Sequence, residues 1–352
     1  RALSPSGRCL PFDRRADGLV VGEGGALFAL QRLEDAVAEG RTILGVIRGI
    51  GLSNDLGGSL LSPESEGQLR AMRAAYEEAG WDPEEVDLVE CHGTGTPRGD
   101  EVEVASLRTL FGGASCVIGS VKSNVGHLLT GAGAASLAKV LFALGEGVLP
   151  PTAGFSKETA SPALEGSGLE VLGAPRPWPE RKGPRRAAVS GFGFGGTNAH
   201  LLVEAWEAGR PVRVRPSQRR SPTEPPIAVV AMASHFGSLE DREAFREALF
   251  EGRSPFAARP ASRWPYEAAI EGTGAGAFLE RLKIVAGRFR IPTKEIPTLL
   301  PQHLLALETE VRAAEEAGLA KKGRHHRAGA VIGLDLDWEA TSFHLRWLVE
   351  DW

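Results

Sequence analysis

The 352-residue sequence predicts an α/β layered fold. Short apolar runs that read as buried strands alternate with helix-length stretches, the pattern of layered α/β architectures. Glycine-rich turns directly follow several of those runs. The most marked is residues 187–203, AAVSGFGFGGTNAHLLV, in which two apolar runs are joined through Gly191, Gly193, Gly195 and Gly196. Glycine tolerates positive φ and close backbone approach, so this stretch reads as a tight hairpin whose N–H groups can face a bound group. Such groups can act as oxyanion donors, and a turn with no function has the same sequence.

In chain order, DGLVVGEGG (17–25) feeds an apolar run at 26–30, and residues 33–39 have helical character ended by Gly40. Residues 43–50 read as a buried strand. SEGQLRAMRAAYEEA (65–79) is the plainest helix: Leu69, Met72, Ala75, Tyr76 and Ala79 share a face, and Gly80 stops it. A short strand at 86–89 runs into ECHGTGT (90–96), and a helix follows from about residue 101 to 110. The pattern then recurs, with a strand at 116–121, a polar turn KSNVGH (122–127) and a small-residue helix at 131–144. That helix carries one charge, Lys139, and is therefore expected inside a core. The glycine hairpin closes this first unit near Trp206.

Residues 207–226 are rich in arginine and proline without apolar period and read as a solvated linker. A second unit follows, with a strand at 227–233, a helix at 239–251, a flexible loop at 272–276, a long helix at 299–316 and a strand at 328–334. The expected division is 1–206, a linker at 207–226, and 227–352.

Apolar residues make up 42% and charged residues 24%, enough for a buried core in a soluble protein. A net charge of −5 argues against a dedicated nucleic-acid binder, including one acting through the basic linker. No run has the length of a membrane span, and RALSPSGRC does not read as a signal peptide. Cys9, Cys91 and Cys116 fit no metal spacing, so free thiols and a cytoplasmic setting are expected, with no metal.

His92 and His127 stand at equivalent places, each just beyond a short strand at a glycine turn. A single histidine is more often structural, but ligand sites in α/β folds collect at strand carboxyl ends, and Lys122 lies beside one of the two. Thr94 and Thr96 add hydroxyl donors. Glu103 either orients a neighbour such as Lys122 or is a solvated carboxylate favoured at a helix N-terminus. Paired neutral imidazoles with backbone oxyanion donors suit acyl chemistry, including stabilisation of an enolate formed as a carboxylate leaves.

ADGLVVGEGG (16–25), ECHGTGTPRGDEVEV (90–104), GSVKSNVGHLLTGAGAASLAK (119–139) and GFGFGGTNAH (191–200), in that order, resemble the C-terminal half of a β-ketoacyl synthase. The resemblance is to ketosynthase domains of polyketide and polyunsaturated fatty-acid synthases and covers residues 1–204. It implies a thiolase-like layered α-β-α-β-α fold, and His92 and His127 as the catalytic pair for decarboxylative condensation. Lys122 and Glu103 would be the supporting charged pair. Thr94 and Thr96 would contact a phosphopantetheine arm. Phe194 would line the acyl pocket with its N–H in the oxyanion hole, beside Gly195 and Gly196.

The second unit, through IAVVAMA (227–233), 239–252, Arg263-Trp264-Pro265, PQHLLAL (301–307) and 330–334, resembles more loosely the N-terminal half of another ketosynthase or of a chain-length factor. Both units are therefore expected to be incomplete. The resemblance also implies acyl carrier protein with acyl and malonyl thioesters as partners, no directly bound cofactor, and a homodimer or ketosynthase/chain-length-factor pair.

A ketosynthase needs a nucleophilic cysteine, and neither unit shows that segment. Cys91 adjoins His92, but neighbours on an extended strand point to opposite faces, and Cys9 and Cys116 read as buried small hydrophobes. The chain then reads as the rear of one ketosynthase joined to the front of the next, inactive alone; a circular permutation would still lack the cysteine segment. A non-catalytic scaffold or dimerisation partner is the other reading.

Overall fold

Three helices stop where the sequence supplies a residue free to turn left-handed. Helices at Ser65–Ala79, Pro97–Phe111 and Ala132–Glu146 end on Gly80, Gly112 and Gly147, at φ 64°, 59° and 67°. The first buries Met72, Ala75, Tyr76 and Ala79, most of the face its periodicity predicts, while Leu69, expected on that face, is only half-buried and Gln68 is buried beside it. The second begins at Pro97, earlier than the expected residue 101, because proline is already shaped for the first helical position.

The computed structural model describes residues 3–56, 63–193, 195–209, 226–260, 274–285, 287–289, 291–293, 296, 299–319 and 329–333. Its strands are β1 (Gly24–Arg32), β2 (Gly45–Asn54), β3 (Leu88–Glu90), β4 (Cys116–Gly119), β5 (Val148–Leu149), β6 (Leu169–Val171), β7 (Arg176–Pro177), β8 (Arg186–Gly193), β9 (Thr197–Glu204), β10 (Ile227–Phe236), β11 (Ala257–Ala258) and β12 (Ala275–Gly276). Its helices are α1 (Leu33–Ala38), α2 (Ser65–Ala79), α3 (Pro97–Phe111), α4 (Lys122–Val125), α5 (Ala132–Glu146), α6 (Arg242–Phe250) and α7 (Pro301–Glu316).

Eight strands form one mixed sheet in the order β1-β10-β2-β9-β8-β3-β4-β6. Pairing is antiparallel from β1 to β8 and parallel from β8 through β3 and β4 to β6. Side-chain alternation divides the core between the two faces. Leu88, Val117, Val189 and Val203 pack with α5 and with Phe245 of α6. Val89, Ile118, Ala188 and Leu202 pack instead with Met72 and Tyr76 of α2 and Leu107 of α3. The result is a helix–sheet–helix sandwich, with α5 buried as its sequence predicts.

Several local expectations change. The polar turn at 122–127 contains a short helix, α4, ended by Gly126 at φ 74°. Residues 275–276, expected in a flexible loop, pair with β11. Residues 329–333 form no ladder where a strand was expected, and the flanking residues 328 and 334 lie outside the described residues. Most of the expected linker, 210–225, also lies outside them.

The larger change concerns the two sequence units. β10, the first strand of the second, sits between β1 and β2 of the first and hydrogen-bonds to both. Ala228, Val229, Ala231 and Met232 are buried, an almost continuous apolar run suited to a central strand covered on both faces. The facing edges of β1 and β2 are thereby paired. One sheet spans the boundary seen in the sequence.

Candidate active site

Parallel pairing decides where the chemistry gathers. Because β3, β4 and β8 run in the same direction, their carboxyl ends share one edge of the sheet. His92 follows β3, Lys122 and His127 follow β4, and the glycine turn follows β8. A cavity of about 680 Å³ opens there, lined by His92, His127, Lys122, Glu103, Thr94 and Thr96, with Phe192 and Gly196 on the hairpin side.

The imidazole centroids of His92 and His127 are 5.4 Å apart at an interplanar angle of 82°. The His127 Nδ1 accepts the Leu129 N–H at 3.0 Å, which places its own proton on Nε2. Leu129 adopts φ 51°, a left-handed conformation that costs a branched residue on the order of 1 kcal/mol and aims its N–H back at the ring. Burial, reinforced by the Lys122 ammonium, lowers the His127 pKa to about 3. The same causes, with His127 added, hold His92 well below its ordinary value. Both rings are therefore neutral donors or acceptors at neutral pH. Phe192 flanks His92 at 5.9 Å.

Glu103 takes a different part from the one its position suggests. Its two oxygens accept the N–H groups of His92 and Gly93, both at 2.8 Å, and so clamp the loop that carries the imidazole. Among the described residues it makes no ion-pair contact with Lys122, so the expected charged pair is a longer-range attraction. Burial raises Glu103 to about 7 against the pull of those two N–H groups and of Lys122. Lys122 is 1% exposed, and burial lowers its pKa. No described carboxylate contacts its ammonium, which faces the cavity.

Asp100, not singled out by the sequence, accepts the N–H groups of Phe12 at 2.9 Å and Gly95 at 3.2 Å and braces the HGTGT loop from below. Its place three residues before Glu103 on the same helix was the available signal. Leu129 and Phe192 carried no such signal, because their roles depend on a backbone angle and on a ring contact across strands. Thr94 and Thr96 line the cavity with their hydroxyls 2.9 Å apart. Gly196, at φ 76°, reaches the cavity; Gly195, at φ 80°, makes the turn without lining it; Phe194 lies outside the described residues.

None of the three cysteines lines the cavity. Cys91 is fully buried among residues of α2 and α3, and burial raises its thiol pKa well above the ordinary value. Burial likewise pushes Cys9 up to about 12 and raises Cys116.

Profiles of three parts of one family match this chain in turn. "Beta-ketoacyl synthase, C-terminal domain" matches residues 44–156, and "Ketoacyl-synthetase C-terminal extension" matches 158–240. "Beta-ketoacyl synthase, N-terminal domain" matches 1–36 and 224–346. The chain belongs to the β-ketoacyl synthase family. A polyunsaturated fatty acid synthase polypeptide of Thraustochytrium sp. is 36% identical over 353 residues, 95% of this chain and 17% of that protein. A phenolphthiocerol/phthiocerol polyketide synthase polypeptide of Mycobacterium tuberculosis is 43% identical over 236 residues, 65% of this chain and 12% of that protein. The chain thus spans less than a fifth of these relatives.

Among solved structures, the ketosynthase from module 6 of the bacillaene synthase of Bacillus subtilis superposes with a TM-score of 0.54 at 37% identity, covering 59% of this chain and 38% of that one. The ishigamide ketosynthase/chain length factor gives 0.53 at 30%, covering 58% and 49%. These neighbours identify the helix–sheet–helix sandwich as part of a thiolase-like fold. Among the described residues no helix is long and apolar enough to cross a membrane.

Proposed function

We propose that the cavity is the decarboxylating half of a condensing site that extends acyl chains held as thioesters. The observation that carries this reading is the pair of neutral imidazoles 5.4 Å apart, one with its proton on the Nε2 side, beside an unpaired ammonium. Loss of carbon dioxide from a malonyl thioester breaks the bond between the carboxylate carbon and C2. The electron pair moves into an enolate whose oxygen becomes negative. Neutral N–H donors from His127 and His92 stabilise that oxygen more than the ground-state carbonyl, and each such donor supplies on the order of 10²–10³ in rate. C2 then attacks the acyl carbonyl, forming the new carbon–carbon bond and expelling the group that held the acyl chain.

Cys9, Cys91 and Cys116 are buried thiols, so the acyl chain is held by a different nucleophile. The phosphopantetheine arm of an acyl carrier protein would present the malonyl thioester, with Thr94 and Thr96 as hydroxyl contacts. The turn at 194–196 would supply the acyl-pocket wall and backbone donors. Residues 1–206 descend in this reading from an elongating ketosynthase, and 227–352 begin a second ketosynthase or a chain-length-factor-like unit, paired in a dimeric synthase. The collinear match to a fatty acid synthase polypeptide over 353 residues supports that order.

The test is release of labelled carbon dioxide from a malonyl-pantetheine thioester by a complete ketosynthase domain that carries these residues. His127→Ala and His92→Ala should each lower the rate by about 10²-fold or more. Undiminished release in both variants would remove the catalytic assignment. Binding of the thioester with no release by the native protein would favour the scaffold reading, for which the match to a ketosynthase/chain-length-factor structure is the supporting observation.

A further inference from the structure

Two carboxylates influence Lys122, yet neither takes its ammonium, and the reason lies behind the cavity. Glu103 is committed to the N–H groups of His92 and Gly93. Glu90, the last residue of β3, accepts the Val121 N–H through Oε1 at 2.6 Å, and its Oε2 lies 2.6 Å from the Nζ of Lys139 on α5. Both side chains of this ion pair are 0% exposed. Their contact is one of charge with charge, outside hydrogen-bonding angles, so neither Nζ nor Oε2 has an aligned partner. Burying such a pair gains little stability over apolar residues of the same size, so its presence calls for another explanation. Thr152 Oγ1, also without a partner, crowds the same point: a Cβ placed at Gly119 would meet it at 2.8 Å and the Lys139 Nζ at 3.2 Å.

We propose that Lys139 is a positioning residue: by neutralising Glu90 inside the core, it leaves the Lys122 ammonium unpaired and turned toward the cavity. Glu90 is tied to the residue immediately before Lys122 and lies two residues before His92, and it already attracts Lys122, so an unneutralised Glu90 carboxylate would have Lys122 as an alternative cation. The other groups around Lys122 are His92, His127, Cys9, Cys91, Glu103 and Asp100, the last committed to the N–H groups of Phe12 and Gly95. None of them is an additional cation that could replace Lys139. The one charge inside α5, whose other charged residue is the terminal Glu146, thereby acquires a purpose. The inference deepens the condensing-site reading, but its test needs no turnover, so the two can fail separately.

The experiment measures acetylation of Lys122 in the folded full chain by dilute acetic anhydride at fixed pH, read by peptide mass spectrometry. Only the unprotonated amine reacts. In Lys139→Met, Glu90 should capture Lys122, raise its pKa by about one unit and slow labelling about tenfold. In Glu90→Gln, Lys122 loses an attracting carboxylate and labelling should quicken. The double variant E90Q/K139M should label at least as fast as the native chain. A role in packing alone predicts faster labelling in both single variants, because a loosened core admits more reagent. Unchanged or faster labelling of Lys139→Met, or unchanged or slower labelling of Glu90→Gln, would overturn the proposal. Should Lys139→Met not fold, Lys139→Gln, which removes the same charge and keeps a polar head, takes its place, with slower labelling of Lys122 again the expected result and unchanged or faster labelling the overturning one.

Discussion

Glu103 and His127 respond to burial in opposite ways: the carboxyl holds its proton to higher pH and the imidazole stays neutral to lower pH. The folded pKa of Glu103, about 7, lies above its ordinary 4.5. Its retained proton therefore stabilises the fold fully below about pH 4.5, and that contribution is lost as pH rises through 7. His127 runs the other way, from 6.5 down to about 3: its contribution is present above 6.5 and is lost as pH falls through 3. Glu103→Gln removes the first titration and keeps one acceptor for the loop N–H groups. Its melting temperature relative to the native chain should rise steadily between about pH 5 and about pH 8 in scanning calorimetry. A pH-independent offset would show that Glu103 already carries a full charge in the fold. The histidines, threonines and Lys122 could be picked out from residue type and strand-end position. The clamp made by Glu103 could not, because backbone partners leave no mark in the sequence.

Among the elements, α2 was legible in full because fifteen residues keep one apolar period and end on a glycine. The short elements were not: β3 holds three residues and α4 four, too few for a period to show. What seats α2 on the sheet is also hidden from periodicity. A Cβ at Gly51 of β2 would lie 1.8 Å from the Ala71 carbonyl oxygen, and one at Gly49 would lie 2.4 Å from that of Ala75. The helix backbone rests directly on these two glycines. Gly51→Ala should therefore cost about 3 kcal/mol in urea unfolding, near the upper end of overpacking effects. Gly145→Ala, where a Cβ on α5 meets nothing within 4 Å, should instead gain about 0.5–1 kcal/mol. Equal effects at the two sites would refute the direct-contact account.

Across the whole molecule, the sheet joins stretches that the sequence separates. β1 and β10 pair along the full length of β1, and α7 packs on both strands. These are also the two pieces, 1–36 and 224–346, that match one N-terminal-domain profile, so the pieces separated along the chain meet in space. A protease site engineered within residues 210–225 tests how firmly they are joined. After cleavage the two fragments should still co-elute in size-exclusion chromatography and separate only in denaturant. Separation under native conditions would mean that β10 is held by the tether alone.

The sequence by itself determined the α/β class, most helices, both catalytic histidine candidates and the family, because periodicity, helix-stopping glycines and ordered motifs are local and survive in one dimension. The tertiary structure decided which strands neighbour each other, and that choice carries the chemistry. Parallel alignment of β3, β4 and β8 brings three turns to one edge, burial strips the imidazoles of charge, and buried carboxylates find backbone and Lys139 partners. Those outcomes depend on distances between residues far apart in the chain and on the desolvation that packing imposes, and neither is written in any single stretch of it.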